Sequence, residues 1–355
     1  MSSMQNLTDM KQHILYIVNP ISGTRQKGGV IQLIEELVDR SRYDFEVVQT
    51  EYAGHAAELA ADAAQRRTDI VVAVGGDGTV NEVGRALVHT ETALGIIPCG
   101  SGNGLARHLC IPIQPSKALA IINEGIIHKL DYGVINEHPF FCTCGVGFDA
   151  FISEKFAEAG KRGPLAYVEN ALKLGLQYRP QTYEIEVGNG SETYEAFLIA
   201  CANASQYGND AYIAPYASMK DGLLDVVVME PFNAIEAPQV ALQLFNGTLP
   251  ENSHVKTFQT DRLRIRRNEE GVAHYDGDPF WTGEVIDVSL RKHAFNVVVN
   301  PWKEESAVHS PVTNLLQLVP DFFSEWKAMP EALLNKTGQD LKRLNKNLLG
   351  KFMKR

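Results

Sequence analysis

Three short runs of this chain are apolar almost from end to end: Ile14–Val18, Ile70–Val74 and Leu94–Pro98. A strand with one face in water alternates polar and apolar residues. An unbroken run therefore argues for a strand covered on both faces, as in a parallel sheet. Each run leads into a glycine-bearing loop, and helical spacing follows. Val30, Ile31, Leu33, Ile34, Leu37 and Val38 fall on one helical stripe. Phe45–Gln49 reads as a further short strand, and Ala53–Gln65 and Asn81–Val88 read as helices. Another helix is expected from Leu105. Strand, loop and helix thus repeat at βαβ spacing over roughly the first 125 residues, which predicts an open parallel α/β sheet.

Beyond residue 130 the rhythm changes. Short runs appear at Phe140–Cys144, Tyr183–Val187, Tyr194–Ala202, Leu224–Met229, Leu263–Arg267 and Val285–Leu290. Turn residues separate them, including Gly188-Asn189-Gly190, Asp221-Gly222 and Asp276-Gly277. This predicts a mostly antiparallel β domain with helical insertions at Ser153–Tyr178 and Ala234–Asn246. The length of 355 residues suits two domains at roughly 150 residues each. The expected division is 1–130, 131–300 and a helical, basic C-terminal tail over 301–355.

Charge and cysteine content exclude several classes. Lys plus Arg is 33 against 43 Asp plus Glu, a net −10, which argues against nucleic acid as a partner. Five scattered cysteines read as reduced core thiols, with Cys142 and Cys144 on one face of a strand. No apolar run approaches the roughly 18 residues of a membrane-spanning helix. The first apolar run is too short for a signal-peptide core. A cytoplasmic protein is expected, with peripheral contact at the inner membrane face as a further expectation.

The strongest chemical signal is Gly75-Gly76-Asp77-Gly78-Thr79, between a buried strand and a helix. Open α/β sheets bind ligands at this end of their strands. Glycines let backbone amides approach phosphate, and Asp77 supplies a carboxylate for Mg²⁺ or for a proton. A plain Gly/Asp turn is the bland alternative. Asn19-Pro20-Ile21-Ser22-Gly23 and Pro98-Cys99-Gly100-Ser101-Gly102-Asn103 stand at equivalent strand ends. Three such loops on one sheet define a concave phosphate site. The P-loop pattern GxxxxGK[ST] is absent, and no GxGxxG follows the first strand.

These residues resemble the diacylglycerol kinase catalytic domain family, which includes bacterial lipid kinases, sphingosine kinases and ceramide kinases. The resemblance runs through NPISG (19–23), TEYAGHA (50–56), GGDGTVNEV (75–83), PCGSGNGLA (98–106), LDYGVIN (130–136), GVGFDA (145–150), KDGLLDVVV (220–228) and YDGDPF (275–280). It covers about residues 13–300 in order. It implies a kinase-like α/β domain and a β-rich lipid-substrate domain. It implies ATP contacts from Asn19, Pro20, Ser22, Gly23, Thr50, Gly75, Gly76, Asp77, Gly78, Thr79, Val80, Asn81, Gly100, Ser101, Gly102 and Asn103. It also implies a structural Mg²⁺ held by the Asp221 carboxylate and the carbonyls of Ser218 and Leu223. Local sequence alone favours a hairpin turn at Asp221-Gly222. The family carries a general-base Glu directly after Asp-Gly, where this chain reads Asp276-Gly277-Asp278. Asp278 is one methylene shorter and still a carboxylate, so either it or Asp77 is expected as base.

The implied reaction is ATP-dependent phosphorylation of a primary hydroxyl of a lipid. GSGN at 100–103 leans slightly toward a sphingoid base over diacylglycerol. Asp149 is expected either to pair with a substrate amine or to cap a helix beginning near Ala150. Arg25 and Lys27 read as a solvated loop or as phosphate neutralisers. Over Lys336–Arg355, five Lys and two Arg face one Asp. With the leucines and aromatics of the tail this suits either an interfacial helix on anionic membrane or a helix packed on the protein. Homo-oligomerisation stays open. The alternatives are a NAD kinase, which shares the GGDGT loop, and a nucleotide- or lipid-binding regulator with weak catalysis.

Overall fold

A computed structural model describes residues 11–21, 28–159, 174–175, 178–233 and 235–303. The expected ligand residues Ser22 and Gly23, the cations Arg25 and Lys27, and the tail from residue 304 lie outside the described residues. The first part of the chain runs β1 (Gln12–Val18), α1 (Gly28–Leu37), β2 (Tyr43–Gln49), α2 (His55–Gln65), β3 (Ile70–Gly75), α3 (Asp77–Leu87), β4 (Ala93–Pro98), α4 (Gly104–His108) and α5 (Pro115–Glu124). The strands stand in the order β2-β1-β3-β4, all parallel. Every residue of β3 and β4 is buried, as unbroken apolar runs require. The helix expected from Asn81 begins at Asp77 instead, because Gly76 is extended and Asp77 opens the first turn. An acidic residue there is favoured by the positive end of the helix.

The remainder runs β5 (Ile127–Ile135), β6 (His138–Phe140), β7 (Thr143–Gly147), α6 (Phe148–Ala159), β8 (Gln181–Val187), β9 (Gly190–Ala196), β10 (Leu198–Ala202), β11 (Leu224–Met229), α7 (Ala237–Asn246), β12 (Val255–Thr260), β13 (Arg262–Arg267), β14 (Gly271–Tyr275), β15 (Asp278–Thr282) and β16 (Val285–Val298). A second sheet has the order β12-β11-β10-β7-β14-β15, with antiparallel neighbours. The expected strand Tyr194–Ala202 is two strands in different sheets. Ala196 pairs with Gln181 in the first sheet, whereas Leu198 pairs with Gly147 and Met229 in the second. Cys142 precedes β7 and so does not share a strand with Cys144; both are buried thiols, as expected of core cysteines.

Period-two alternation builds two cores from β10. Ile199 and Cys201 face a cluster with Val226, Ile265 and Val288, between the sheets. Leu198, Ala200 and Ala202 face a cluster with Met229, Val240 and Leu249, on the outer side. That double burial explains why an antiparallel strand reads as continuous apolar sequence.

The long strand β16 links the two halves. It pairs with β13 near Val288, with β5 along its length, and with β4 at Val297. Its ladder with β5 is irregular between Arg291 and Phe295, opposite Asp131. The fully buried Asp131 accepts the His293 N–H (2.6 Å) and so satisfies an amide the bulge removes from the ladder. The expected cut near Asp131 therefore falls inside a continuous strand, at its bulge. Among the described residues no helix is long and apolar enough to cross a membrane.

Candidate active site

The ends of β3 and β4 bring two glycine loops together. Gly75 pairs with Pro98, and the Cys99 N–H donates to the Gly75 carbonyl at 2.7 Å. A Cβ on Gly100 would lie 2.5 Å from the Gly76 Cα, so neither loop tolerates a side chain here. The Asp77 carboxylate clamps the loops from one side. Its oxygens accept the N–H groups of Asn103 (2.8 Å) and Gly104 (2.7 Å). Burial pushes its pKa up, and those two N–H groups hold it down. Asn103 closes its own loop by accepting the Gly100 N–H and donating to the Gly100 carbonyl. Gly78 and Ser101 remain exposed beside this clamp, with open space where a Gly78 side chain would be.

The other expected nucleotide contacts converge on the same end of the sheet. Asn19, past the end of β1, donates to the Thr79 hydroxyl (3.0 Å) and accepts the Ile21 N–H. The Thr50 N–H, past β2, donates to the Val18 carbonyl (2.9 Å). Pro20 is exposed. Val80 is buried on α3.

One face of α3 reaches the second sheet. Asp77, Asn81 and Arg85 are four residues apart and stack on that face. Asn81 Nδ2 donates to Asp276 Oδ2 at 2.7 Å. Arg85 donates to the Tyr275 hydroxyl at 3.2 Å and lies over the Tyr275 ring, 5.1 Å from its centroid. Its other nitrogen is 3.9 Å from Asp278 Oδ2. The buried Asn81 Oδ1 has no partner among the described residues.

The Asp276-Gly277 dipeptide is a two-residue hairpin, since Tyr275 pairs with Asp278. Both turn residues have positive φ, 48° and 87°, as a type I′ turn requires. Asp276 accepts the N–H groups of Phe141 (2.8 Å), Cys142 (2.7 Å) and Thr143 (3.1 Å) as well as Asn81. Burial raises its pKa, and those bonds oppose the rise. Asp278 opens β15 with its side chain half exposed. Partial burial pushes its pKa up. Arg85 pulls it down, while Glu82 and Asp77 push it further up.

Asp149 lies in the first turn of α6. The helix starts one residue before it, at Phe148, and its carboxylate is occupied. Oδ1 accepts the Ala150 N–H, and Oδ2 meets His274 Nε2 (3.0 Å) and the Tyr207 hydroxyl (3.1 Å). At the expected structural metal position, Asp221 Oδ1 accepts the Leu223 N–H (3.0 Å) and the Ser218 hydroxyl accepts the Lys220 N–H (3.2 Å). β11 begins only at Leu224, so this turn is not a two-residue hairpin. Among the described residues no three His, Cys, Asp or Glu side chains gather as a metal site. One carboxylate with backbone carbonyls is still an all-oxygen donor set of the kind Mg²⁺ accepts together with water.

Several residues of the site carried no signal strong enough to single them out. Arg107 donates to the Gly102 carbonyl and makes two bonds to Asp210 (3.0 and 3.1 Å), bracing the glycine loop from the second domain. Arg85 and His274 were equally unmarked, and Asp276 was marked only as a turn residue. The helical spacing 77, 81, 85 was the available clue.

A family model described as the diacylglycerol kinase catalytic domain matches residues 13–135. A second, described as the YegS C-terminal NAD kinase beta sandwich-like domain, matches residues 142–297. A Chromohalobacter salexigens protein named "Probable lipid kinase YegS-like" is 30% identical over 264 residues, covering 71% of this chain and 84% of that protein. A Bacillus subtilis diacylglycerol kinase is 29% identical over 268 residues, covering 74% of this chain and 88% of that one. The crystal structure of a diacylglycerol kinase from Bacillus anthracis superposes with a TM-score of 0.65 at 22% identity, over 82% of this chain and 98% of the other.

Proposed function

The chain belongs to the diacylglycerol kinase catalytic domain family, and from that premise we propose that it is an ATP-dependent lipid kinase that transfers the γ-phosphate to a primary lipid hydroxyl. The observation that carries this reading is the hairpin at 276–277, which sets Asp278 against the α3 face that begins in the Gly75–Thr79 loop.

Phosphoryl transfer needs positioning and charge neutralisation more than covalent help from the protein. The glycine loops would receive the phosphates on backbone amides, with Gly78 and Ser101 exposed for contact. The oxygen-rich lining of Asp77, Asn81 and Asp278 suits a hard cation, and Mg²⁺ bound with ATP would supply neutralisation of the phosphate charge. Asp77 has both oxygens on backbone amides, so its role is to hold the two loops in register. Asp278 is the half-exposed carboxylate and is the proposed acceptor of the hydroxyl proton. A structural Mg²⁺ at Ser218, Asp221 and Leu223 belongs to the same proposal.

The occupied carboxylate of Asp149 supports an uncharged acceptor such as diacylglycerol over a sphingoid amine, since its oxygens already serve His274, Tyr207 and Ala150. The test is γ-labelled ATP with diacylglycerol, sphinganine, ceramide and NAD side by side. Label in the chloroform-soluble phosphate monoester of diacylglycerol is expected. Label in NADP, or ATP binding with no transfer to any acceptor, would overturn the reading.

A further inference from the structure

The buried pair Asp149–His274 lies behind the hairpin that carries Asp278. Both side chains are almost wholly enclosed, 8% and 2% exposed. His274 is on β14, two residues before the turn. The Gly277 N–H points at its Nδ1 over 3.4 Å, a long bond. An N–H needs an acceptor, so Nδ1 is the bare nitrogen and Nε2 carries the hydrogen. Nε2 then donates to Asp149 Oδ2 at 3.0 Å. The two nitrogens thus link α6 to the turn.

Two further features indicate that the pair is built in. Gly145 on β7 sits opposite His274. A Cβ at that position would come within 2.5 Å of the Ile199 carbonyl, 2.6 Å of Asp149 Oδ2 and 3.2 Å of His274 Nε2, so glycine is needed both by the neighbouring strand and beside this contact. Tyr207 donates its hydroxyl to the same Asp149 oxygen. Its own loop holds the first domain, because the Asn209 N–H donates to the Gly102 carbonyl at 3.0 Å. A continuous path therefore runs from the glycine loop through Tyr207, Asp149 and His274 to Gly277.

We propose that His274 is a positioning residue for phosphoryl transfer: anchored by Asp149, it holds the Gly277 N–H and fixes the turn from which Asp278 projects. The inference rests on the reading of Asp278 as acceptor of the hydroxyl proton. A small displacement of a reacting group can cost on the order of a hundredfold in rate.

Two substitutions separate the two arms of the imidazole. In His274→Asn, Oδ1 stands near the Nδ1 position and can still accept from Gly277. In His274→Gln, Nε2 can still donate to Asp149, but the acceptor for Gly277 is gone. The measurements are kcat, KM for ATP and amide exchange at Gly277. His274→Gln is expected to lose about ten- to a hundredfold in kcat with KM for ATP unchanged, and to exchange Gly277 faster. His274→Asn keeps the acceptor but loses the Asp149 anchor, and is expected to lose less turnover and less protection than His274→Gln. Equal kinetics and equal exchange in the two variants would overturn the proposal, as would a loss confined to KM. If both variants melt well below the wild type, Tyr207→Phe carries the test: a lower kcat at unchanged KM supports the link, and wild-type kinetics refute it. Exchange is read without turnover. A wild type that phosphorylates no lipid would sink the proposed function, whereas the exchange difference would still report on the link.

Discussion

Two Asp-Gly turns in the second domain have the same dipeptide and opposite roles. At Asp276-Gly277 the aspartate turns inward and its own carboxylate gathers three backbone N–H groups and Asn81. At Asp221-Gly222 the aspartate is exposed, and the turn is held from outside by the buried Asp131, which accepts the Gly222 N–H at 2.9 Å. One turn is a hairpin that joins two domains. The other is a bend leading into β11. The dipeptide supplies positive φ in both cases, at Gly277 and at Gly222; the partners decide what the carboxylate does.

The largest effect that would sharpen this contrast is expected from Asp276→Ala. It strands three buried N–H groups and should cost about 4 kcal/mol, read as a lower denaturation midpoint. A loss no greater than that of a surface substitution would erase the distinction between the turns. Asn81→Ala removes only the cross-domain donor and should cost about 2 kcal/mol, because the bond is to a buried carboxylate. A double-mutant cycle with Asp276 checks that the two losses share one interaction.

Arg85→Gln should act on pH dependence more than on stability. Burial raises the pKa of Asp278 and Arg85 opposes the rise. The acid limb of kcat/KM should therefore lie above the ordinary carboxylate range in the wild type and move to still higher pH without the cation. A shift to lower pH would show that Asp278 is not the group observed. The smallest effect belongs to Asp221→Asn, within about 0.5 kcal/mol without added metal, as for other exposed positions. If the turn binds Mg²⁺, a Mg²⁺-dependent rise in Tm should be present in the wild type and absent in this variant. Equal Mg²⁺ responses would remove Asp221 as a ligand.

What the sequence made legible follows the range of the interactions. Unbroken apolar runs identified β1, β3 and β4, because burial on both faces leaves a local pattern. The Asp276-Gly277 turn was legible too, as a dipeptide suited to positive φ at both positions, but the two short strands it joins were not expected. The start of α3 was misjudged by four residues, since glycines that cap a helix look like glycines in a loop. The continuation of β16 past Leu290 was hidden by Arg291-Lys292-His293, a polar break that the remote Asp131 makes tolerable. In the candidate site the glycine loops were readable, but the bond between Asn81 and Asp276 spans 195 residues of sequence and leaves only helical spacing as a trace.

The central claim is that Asp278, presented by its hairpin to the glycine loops, takes the proton from a lipid hydroxyl. The most direct measurement is transfer of label from γ-labelled ATP to diacylglycerol by Asp278→Ala beside the wild type, with ATP affinity measured calorimetrically for both. The account predicts that transfer falls by about a hundred- to ten-thousandfold while ATP affinity is unchanged. Undiminished transfer by the variant would contradict it.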